Sequence, residues 1–202
     1  MDSDLRGIWM GRLFRRLDHF DELWSGFVSR LIASLWGVRL GNGSRFFGIM
    51  RFRRAEFSSI TIGDNCTFRS SVGSNLVGIN RPCMISTLTG DAVIMVGSGC
   101  GLSGTVIGAA QRIEIGNNVL FGANSTITDT DWHGIAPDKR REPGAAAPVI
   151  IGDNVWIGLN ATVLKGVTIG KNSIIGAGSV VAKSIPANVI ASGQPARIIK
   201  SL

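Results

Sequence analysis

From residue 60 onward, the chain repeats an apolar position every six residues. When residues 151–186 are read as consecutive hexads, the first position is always aliphatic, at 151, 157, 163, 169, 175 and 181. The fifth position is small or β-branched, as in Val155, Ala161 and Ser173. An amphipathic helix would repeat about every 3.6 residues and a half-buried strand every two, so the pattern fits neither element. It indicates a chain that turns a corner at every sixth residue.

The six-residue repeat also runs upstream in shorter fragments. Its apolar positions there are Ile62 and Phe68, Val96 and Leu102, and Ile115, Phe121 and Ile127. Such a period is typical of hexapeptide β-helix repeats, in which each hexad forms one flat side of a prism and stacked coils bury a continuous apolar column. The pattern therefore predicts an all-β domain of stacked coils over residues 56–202, preceded by a separate segment at residues 1–55.

The three cysteines fit the interior of such a prism. Cys66 and Cys100 occupy the small position of the repeat in two upstream fragments, and Cys83 belongs to no CxxC pair. Because cysteine and histidine are nowhere clustered at zinc-ligand spacing, no metal site is expected. The sequence predicts reduced, buried thiols.

The first 55 residues differ from the rest in pattern and charge. Residues 20–36 carry apolar side chains at helical spacing, and Asp21 and Glu22 suit the start of a helix there. Residues 1–54 hold ten arginines and five acids. We expect the helix to pack on the β-helix. The alternative is a helix lying on a membrane surface, favoured by its tryptophans and by Arg12, Arg15, Arg16 and Arg30.

Composition narrows the location and the partners. The chain has 202 residues, a net charge of +7 and 27 glycines, which suits one elongated domain with many tight corners. It lacks the pattern of a signal peptide and any long apolar span, so a cytoplasmic location is expected, with peripheral contact to the inner membrane face as an addition. The arginines suit anionic lipid or a phosphorylated substrate. A nucleic-acid partner is not expected, because no recognition motif accompanies the charge.

Two segments interrupt the repeat. Residues 79–95 are irregular and read as a distorted coil. Residues 128–149 are polar and charged and contain three prolines. This second segment predicts a loop leaving the prism, and long loops on a rigid scaffold usually carry function.

Three motifs give the chain a family resemblance: NVWIG at 154–158, GAGSVV at 176–181 and G-x-P-A-R at 193–197. With them, residues 60–200 resemble the hexapeptide-repeat O-acetyltransferases, which include the maltose, galactoside and nodulation-factor enzymes and sugar acetyltransferases of surface-polysaccharide clusters. The resemblance implies a left-handed parallel β-helix, a homotrimer with active sites between subunits, acetyl-CoA as the acyl donor and a sugar or glycan precursor as the acceptor.

His133 is the candidate catalytic base. The chain has two histidines, and His19 lies in the basic segment with no catalytic neighbours. His133 lies at the start of the 128–149 loop, the place that the catalytic histidine takes in similar acyltransferases. An imidazole there would take the hydroxyl proton as the acceptor attacks the thioester directly, and no nucleophile motif is present.

The residues beside His133 are candidates for supporting roles. One of Asp129 and Asp131, with Asp131 favoured, would accept the imidazole N–H and fix its tautomer, as in a catalytic triad. The alternatives for these aspartates are a hydrogen bond to the acceptor or the formation of a turn. Asp129 and Trp132 are expected to contact the substrate. By resemblance, the CoA-binding residues are Trp156, Gly158, Ala177, Lys183, Arg197 and Lys200. Ala182 stands where the family often has threonine, so one polar contact to the donor is absent.

Three other functions are compatible with a β-helix of this kind. A non-catalytic scaffolding β-helix would keep the hexads but has no need of a histidine at the loop. An acyltransferase for a non-sugar acceptor, such as an amino acid, is a second alternative. A carbonic anhydrase on the same scaffold requires three histidine ligands, which two histidines do not supply.

Overall fold

The computed structural model describes residues 4–202, except for the side chains of Arg15 and Asp18. It opens with one long helix, α1 (Leu5–Leu35), and continues as short strands. The Asp4 carboxylate caps α1 by accepting a hydrogen bond from the Gly7 amide at 2.9 Å. Residues 1–3 of the predicted 1–55 segment, and the side chain of Arg15 in the predicted basic set, lie outside this description.

The strands form three parallel sheets, which are the three faces of a prism. Face A holds β1 (Arg39–Leu40), β4 (Ser59–Ile62), β7 (Val93–Val96), β10 (Arg112–Ile115), β13 (Val149–Ile151) and β16 (Thr168–Ile169). Face B holds β2 (Arg45–Phe47), β5 (Thr67–Arg69), β8 (Gly101–Ser103), β11 (Leu120–Phe121), β14 (Trp156–Ile157), β17 (Ile174–Ile175), β19 (Val189–Gly193) and the antiparallel β20 (Ala196–Ser201). Face C holds β3 (Arg51–Arg53), β6 (Met84–Thr87), β9 (Val106–Ala109), β12 (Thr126–Thr128), β15 (Thr162–Val163) and β18 (Val180–Val181).

The prism is a left-handed parallel β-helix, as the repeat and the family resemblance predicted. The chain passes from face A to B to C in each coil, so strands three apart in sequence pair with one another. The first position of every hexad from 151 to 181 is buried, with exposures of 0–1 %. The cysteine prediction is also confirmed, since Cys66, Cys83 and Cys100 are free and buried.

The β-helix begins earlier than the predicted boundary at residue 56. Strands β1, β2 and β3 already form a complete coil, whose interior residues Leu40, Phe46 and Phe52 keep the six-residue spacing. Phe46 stacks on Phe68 of the next coil with ring centroids 5.0 Å apart. This coil has only three repeat positions before the six-residue spacing breaks between Phe52 and Ile62, which conceals it in the sequence.

The second half of α1 closes the open end of the prism. The hydroxyls of Ser25 and Ser29 are buried and accept hydrogen bonds from the backbone amides of Gly48 and Met50, both at 3.1 Å. The Arg30 guanidinium lies over the Phe46 ring, 5.2 Å from its centroid. The helix therefore covers the Phe46 ring at this end of the core. It also provides acceptors for backbone amides that would otherwise be unpaired at the end of the prism.

Helix α1 is longer than predicted and does not begin near Asp21. Both acids lie in its interior, where Glu22 pairs with Arg45 of the first coil at 2.6 Å. This hydrogen-bonded ion pair lowers the pKa of Glu22. The acids thus hold the helix on the prism instead of marking its start.

The apolar stripe of α1 faces away from the prism. Ser25, Ser29 and Ala33 are buried against the first coil, whereas Phe27 and Leu31, two positions away and so on the opposite side, are 65 % and 49 % exposed. We call this surface the outer stripe; its members, each at least 36 % exposed, are Leu5, Trp9, Leu13, Leu17, Phe20, Leu23, Trp24, Phe27, Leu31 and Leu35. No helix within residues 4–202 is long and apolar enough to cross a membrane.

The two predicted interruptions have different outcomes. The 128–149 loop is present, because the chain leaves face C after Thr128 and returns to face A at Val149. The irregular segment is not 79–95, since β6 and β7 are regular strands there. The irregular stretch is instead residues 70–83, where Leu76 and Val77 are exposed.

Candidate active site

The loop between β12 and β13, which we call the excursion loop, is held together by backbone hydrogen bonds between its two ends. The Asp131 amide donates to the Ala145 carbonyl at 3.0 Å, and the Ala147 amide donates to the Asp129 carbonyl at 2.8 Å. Further out, the Gly134 amide donates to the Glu142 carbonyl at 3.0 Å. These hydrogen bonds fix the height at which His133 stands above the corner between faces C and A.

The imidazole of His133 is exposed and is held by a backbone carbonyl. Its Nδ1 lies 3.0 Å from the Arg140 carbonyl oxygen, which can only accept, so Nδ1 carries the proton. In the neutral imidazole, Nε2 is then the acceptor nitrogen. Gly144 packs closely against this residue: a Cβ at Gly144 would lie 2.7 Å from the His133 carbonyl oxygen. A side chain at position 144 would therefore displace the histidine.

Asp131 does not accept the imidazole N–H, which corrects the triad role predicted for it. Both of its carboxylate oxygens lie 2.7 Å from Nζ of Lys165, one coil further along the prism. The two side chains are 29 % and 31 % exposed. The pair ties the base of the excursion loop to the β15–β16 corner, so Asp131 positions the segment that carries His133.

Asp129 is structural, which corrects its predicted contact with substrate. It is fully buried, and its carboxylate accepts hydrogen bonds from the backbone amides of Ala110, Gln111 and Arg112 at 2.6–2.8 Å. Three backbone donors satisfy the charge inside the turn between β9 and β10. Because Asp129 is 0 % exposed, its carboxylate is out of reach of an acceptor bound at the surface.

Trp132 lies on the outside of face C, over Gly108. Its backbone is in the left-handed region, with φ of 66°, which turns the side chain back over the prism. The indole ring reaches Gly108, where a Cβ would lie 2.9 Å from the ring. The ring is 46 % exposed and borders a cavity of about 1010 Å³ on face C. A substrate role for Trp132 remains a prediction, and this position is compatible with it.

The predicted CoA-binding residues lie at several separate places on the prism. Gly158 and Ala177 stack at the corner between faces B and C, where a Cβ at Gly158 would lie 2.5 Å from the Ala177 amide nitrogen. Lys183 follows β18 at the corner between faces C and A, below the excursion loop. Trp156 is 53 % exposed on face B, and Arg197 and Lys200 are exposed on β20. Acetyl-CoA is predicted to bind along the corner between faces B and C, which we call the Gly158–Ala177 groove. Within one chain, the whole of face C separates it from His133.

Lys165 is the site residue that the sequence reasoning missed. It lies in VLKGV, two residues beyond Val163, the interior position of its hexad. Its position in the repeat could have identified it. The corner after β15 lies one coil beyond the corner at which the excursion loop leaves the prism. Among the described residues, no cluster of histidine, cysteine and acids could hold a metal ion.

A family model agrees with the repeat. The model described as "Hexapeptide repeat of succinyl-transferase" matches residues 112–136 and 148–183. The galactoside O-acetyltransferase of Lactococcus lactis is 50 % identical to this chain over 92 residues, which are 45 % of this chain and 44 % of the relative. The matched part thus spans less than half the length of that curated relative.

Solved structures agree with the fold. The maltose O-acetyltransferase of Clostridium difficile is 25 % identical, with a TM-score of 0.51 over 92 % of this chain and 88 % of that one. The N-acyltransferase AntD of Bacillus cereus, solved with dTDP and 3-hydroxybutyryl-CoA, has the same fold at 19 % identity, with a TM-score of 0.62 over 86 % of this chain and 88 % of that one. The repeat, the stacked coils and these likenesses together show that the chain resembles the hexapeptide-repeat acetyltransferases in part of its sequence and in its fold.

Proposed function

We propose that this protein transfers an acetyl group from acetyl-CoA to a hydroxyl of a sugar or glycan precursor, with His133 as the general base. The observation that carries the proposal is the fixed tautomer of His133: the Arg140 carbonyl holds Nδ1–H, and Nε2 is free to accept a proton. An imidazole oriented in this way presents Nε2 as a general base.

The chemistry needs no covalent enzyme intermediate. Nε2 of His133 takes the proton of the acceptor hydroxyl as its oxygen attacks the thioester carbonyl. The tetrahedral intermediate then expels the CoA thiolate, which receives the proton back from the imidazolium. The products are the O-acetyl ester and CoA, and the histidine returns to its starting state.

The position of the donor groove supports a homotrimer. The base stands at the corner between faces C and A, whereas Gly158 and Ala177 lie at the corner between faces B and C. A thioester bound along the Gly158–Ala177 groove would be out of reach of His133 in the same chain. Three parallel prisms arranged by a threefold axis bring one edge of each subunit to the other edge of its neighbour, so each active site would use two chains.

We also propose that the outer stripe of α1 rests on an anionic membrane surface. The stripe is wide and rich in aromatic residues, which is typical of helices that lie in the headgroup region. Arg6, Arg12 and Arg16 lie in it or along its edge and are exposed, while its members include no acid. Because α1 covers the end of the prism, this contact would stand the prism upright on the bilayer.

These features favour a cytoplasmic enzyme of surface-polysaccharide synthesis, working where acetyl-CoA and membrane-attached glycan precursors meet. The direct test follows CoA release and product structure with acetyl-CoA and a panel of acceptors: methyl galactoside, maltose and free serine. We expect CoA release with a sugar and an O-acetyl signal in the product by NMR. Transfer to the amino acid in preference to the sugars would favour the second alternative, and no transfer to any sugar or glycan precursor would favour a scaffolding role.

A further inference from the structure

The cavity beside Trp132 has the composition of a site for an anionic sugar. It lies on the outside of face C, between the end of α1 and the excursion loop, and has a volume of about 1010 Å³. Trp36 stands at one end and Trp132 at the other, and Arg51, Arg53 and Arg54 line the side nearest α1.

The strand registers fix the order of side chains along this cavity. Arg53 of β3 is in register with Ser86 of β6, and Ser86 is in register with Gly108 of β9. The Trp132 ring lies over Gly108. Neighbouring strands are about 4.8 Å apart, so the arginine strand and the tryptophan ring are separated by about 10 Å. The small residues between them leave a depression with room for one hexose ring bearing a phosphate.

The charge of the cavity is unbalanced. Arg51 and Arg53 flank the inward-pointing Phe52, so both side chains project from face C, and both are exposed. Arg54 donates to the carbonyl oxygens of Trp36 and Ser58, at 2.7 Å each, which orients its guanidinium without neutralising it.

One lining residue, Glu56, carries a negative charge. None of the three arginines forms an ion pair with a described side chain. Guanidinium groups gathered in this way suit a phosphate or carboxylate, to which they donate paired hydrogen bonds.

We infer that this cavity is the acceptor site and that the acceptor is a sugar carrying a phosphate ester, with the phosphate on Arg51 and Arg53 and the sugar ring against Trp132. The inference rests on the proposed function, because an acetyl acceptor bound here must present its hydroxyl to His133, which follows Trp132 in the chain. A nucleotide sugar and a lipid-linked glycosyl phosphate share this chemistry. In the second case, the lipid would leave past Ile32, Trp36 and Ile49, toward the α1 end of the cavity.

The test compares matched acceptors with acetyl-CoA: methyl galactoside, galactose 1-phosphate, UDP-galactose and a prenyl-phosphate-linked galactose in micelles. The variant Arg51→Gln/Arg53→Gln is set against Arg39→Gln/Arg112→Gln, which removes two exposed arginines from face A. We expect the first variant to lower kcat/KM for the phosphorylated sugars at least tenfold, mainly through KM, and to change methyl galactoside less than twofold. The control should change neither. Whichever phosphorylated acceptor has the highest kcat/KM identifies the source.

Equal effects of the cavity variant on neutral and phosphorylated acceptors would overturn the inference while leaving acetyl transfer in place. A binding measurement makes the test independent of turnover. In the presence of CoA, saturation-transfer NMR should show galactose 1-phosphate bound to the unmodified protein and to the control, and bound much more weakly to Arg51→Gln/Arg53→Gln. Equal binding to all three proteins would contradict the site even if no acceptor were turned over.

Discussion

At the scale of single residues, two aspartates of the excursion loop that look alike in the sequence have different roles in the structure. Asp129 is buried under three backbone amides, and Asp131 holds Lys165. The imidazole of His133 forms no hydrogen bond with either carboxylate and donates one to the Arg140 carbonyl instead. A neutral carbonyl fixes the tautomer without adding a negative charge beside the base.

The Asp131–Lys165 pair predicts a positioning effect on catalysis. In Lys165→Met, the base of the loop loses its anchor, and we expect kcat to fall about tenfold while the affinity for acetyl-CoA is unchanged. The pair is partly exposed, so its loss should lower the free energy of unfolding by only about 1 kcal/mol. Trypsin should also cleave faster after Lys139, Arg140 and Arg141 in the loop.

Two comparisons make that prediction specific. Lys171→Met removes an exposed lysine from the next coil and should leave both kcat and the cleavage rate unchanged. The double variant Asp131→Asn/Lys165→Met should be no slower than the slower single variant, because the two residues act through one contact. Additive losses would show that Asp131 and Lys165 have separate roles.

At the scale of the repeated coil, stability comes from the interior column. Ile151 is 1 % exposed, whereas its neighbour Ile150 in the same strand is 41 % exposed on the outside of face A. Ile151→Ala leaves a cavity in a closely packed column, and we expect it to lower the free energy of unfolding by about 2–5 kcal/mol. Ile150→Ala should cost less than about 1 kcal/mol by chemical denaturation. Equal losses would contradict the assignment of inner and outer positions.

The outer stripe of α1 predicts binding to anionic vesicles. Trp9→Ser/Leu13→Ser removes two exposed apolar side chains, and we expect at least tenfold weaker partition onto phosphatidylglycerol vesicles. Leu76→Ser/Val77→Ser is the matched control, since these apolar residues are more exposed than Trp9 and Leu13 but lie in the 70–83 stretch. Binding should weaken with salt and be lost on phosphatidylcholine alone. Self-association through the stripe without vesicle binding would contradict the membrane proposal.

Most coils could be predicted from the sequence, because an aliphatic residue marks the interior position of each hexad. The first coil was not predicted, because its three repeat positions end at Phe52 and the next one, Ile62, follows ten residues later. The site was predictable only in part. His133 is distinguished by its place at the loop, but its partner is a backbone carbonyl, which has no sequence signature. Lys165 meets Asp131 across 34 positions of sequence, a contact that exists only once two coils are stacked.

At the scale of the whole molecule, the separation of His133 from the Gly158–Ala177 groove predicts shared active sites. We expect three chains per particle by light scattering. His133→Ala and Ala177→Trp should each be inactive, the first through the base and the second by blocking the groove. Coexpressed, they should recover about one quarter of the sites, because one chain supplies the histidine and its neighbour supplies the groove. No recovery in mixed trimers would place both groups within one chain.

The central claim is that His133 is the base, and its most direct test compares the two histidines of the chain. His133→Ala should lower acetyl transfer to the best acceptor at least a hundredfold, by CoA release, while acetyl-CoA binding and particle size are unchanged. His19→Ala, an exposed position on α1, should transfer at the unmodified rate. If His133→Ala kept most of the activity, the imidazole would not be the base and the proposed mechanism would be wrong.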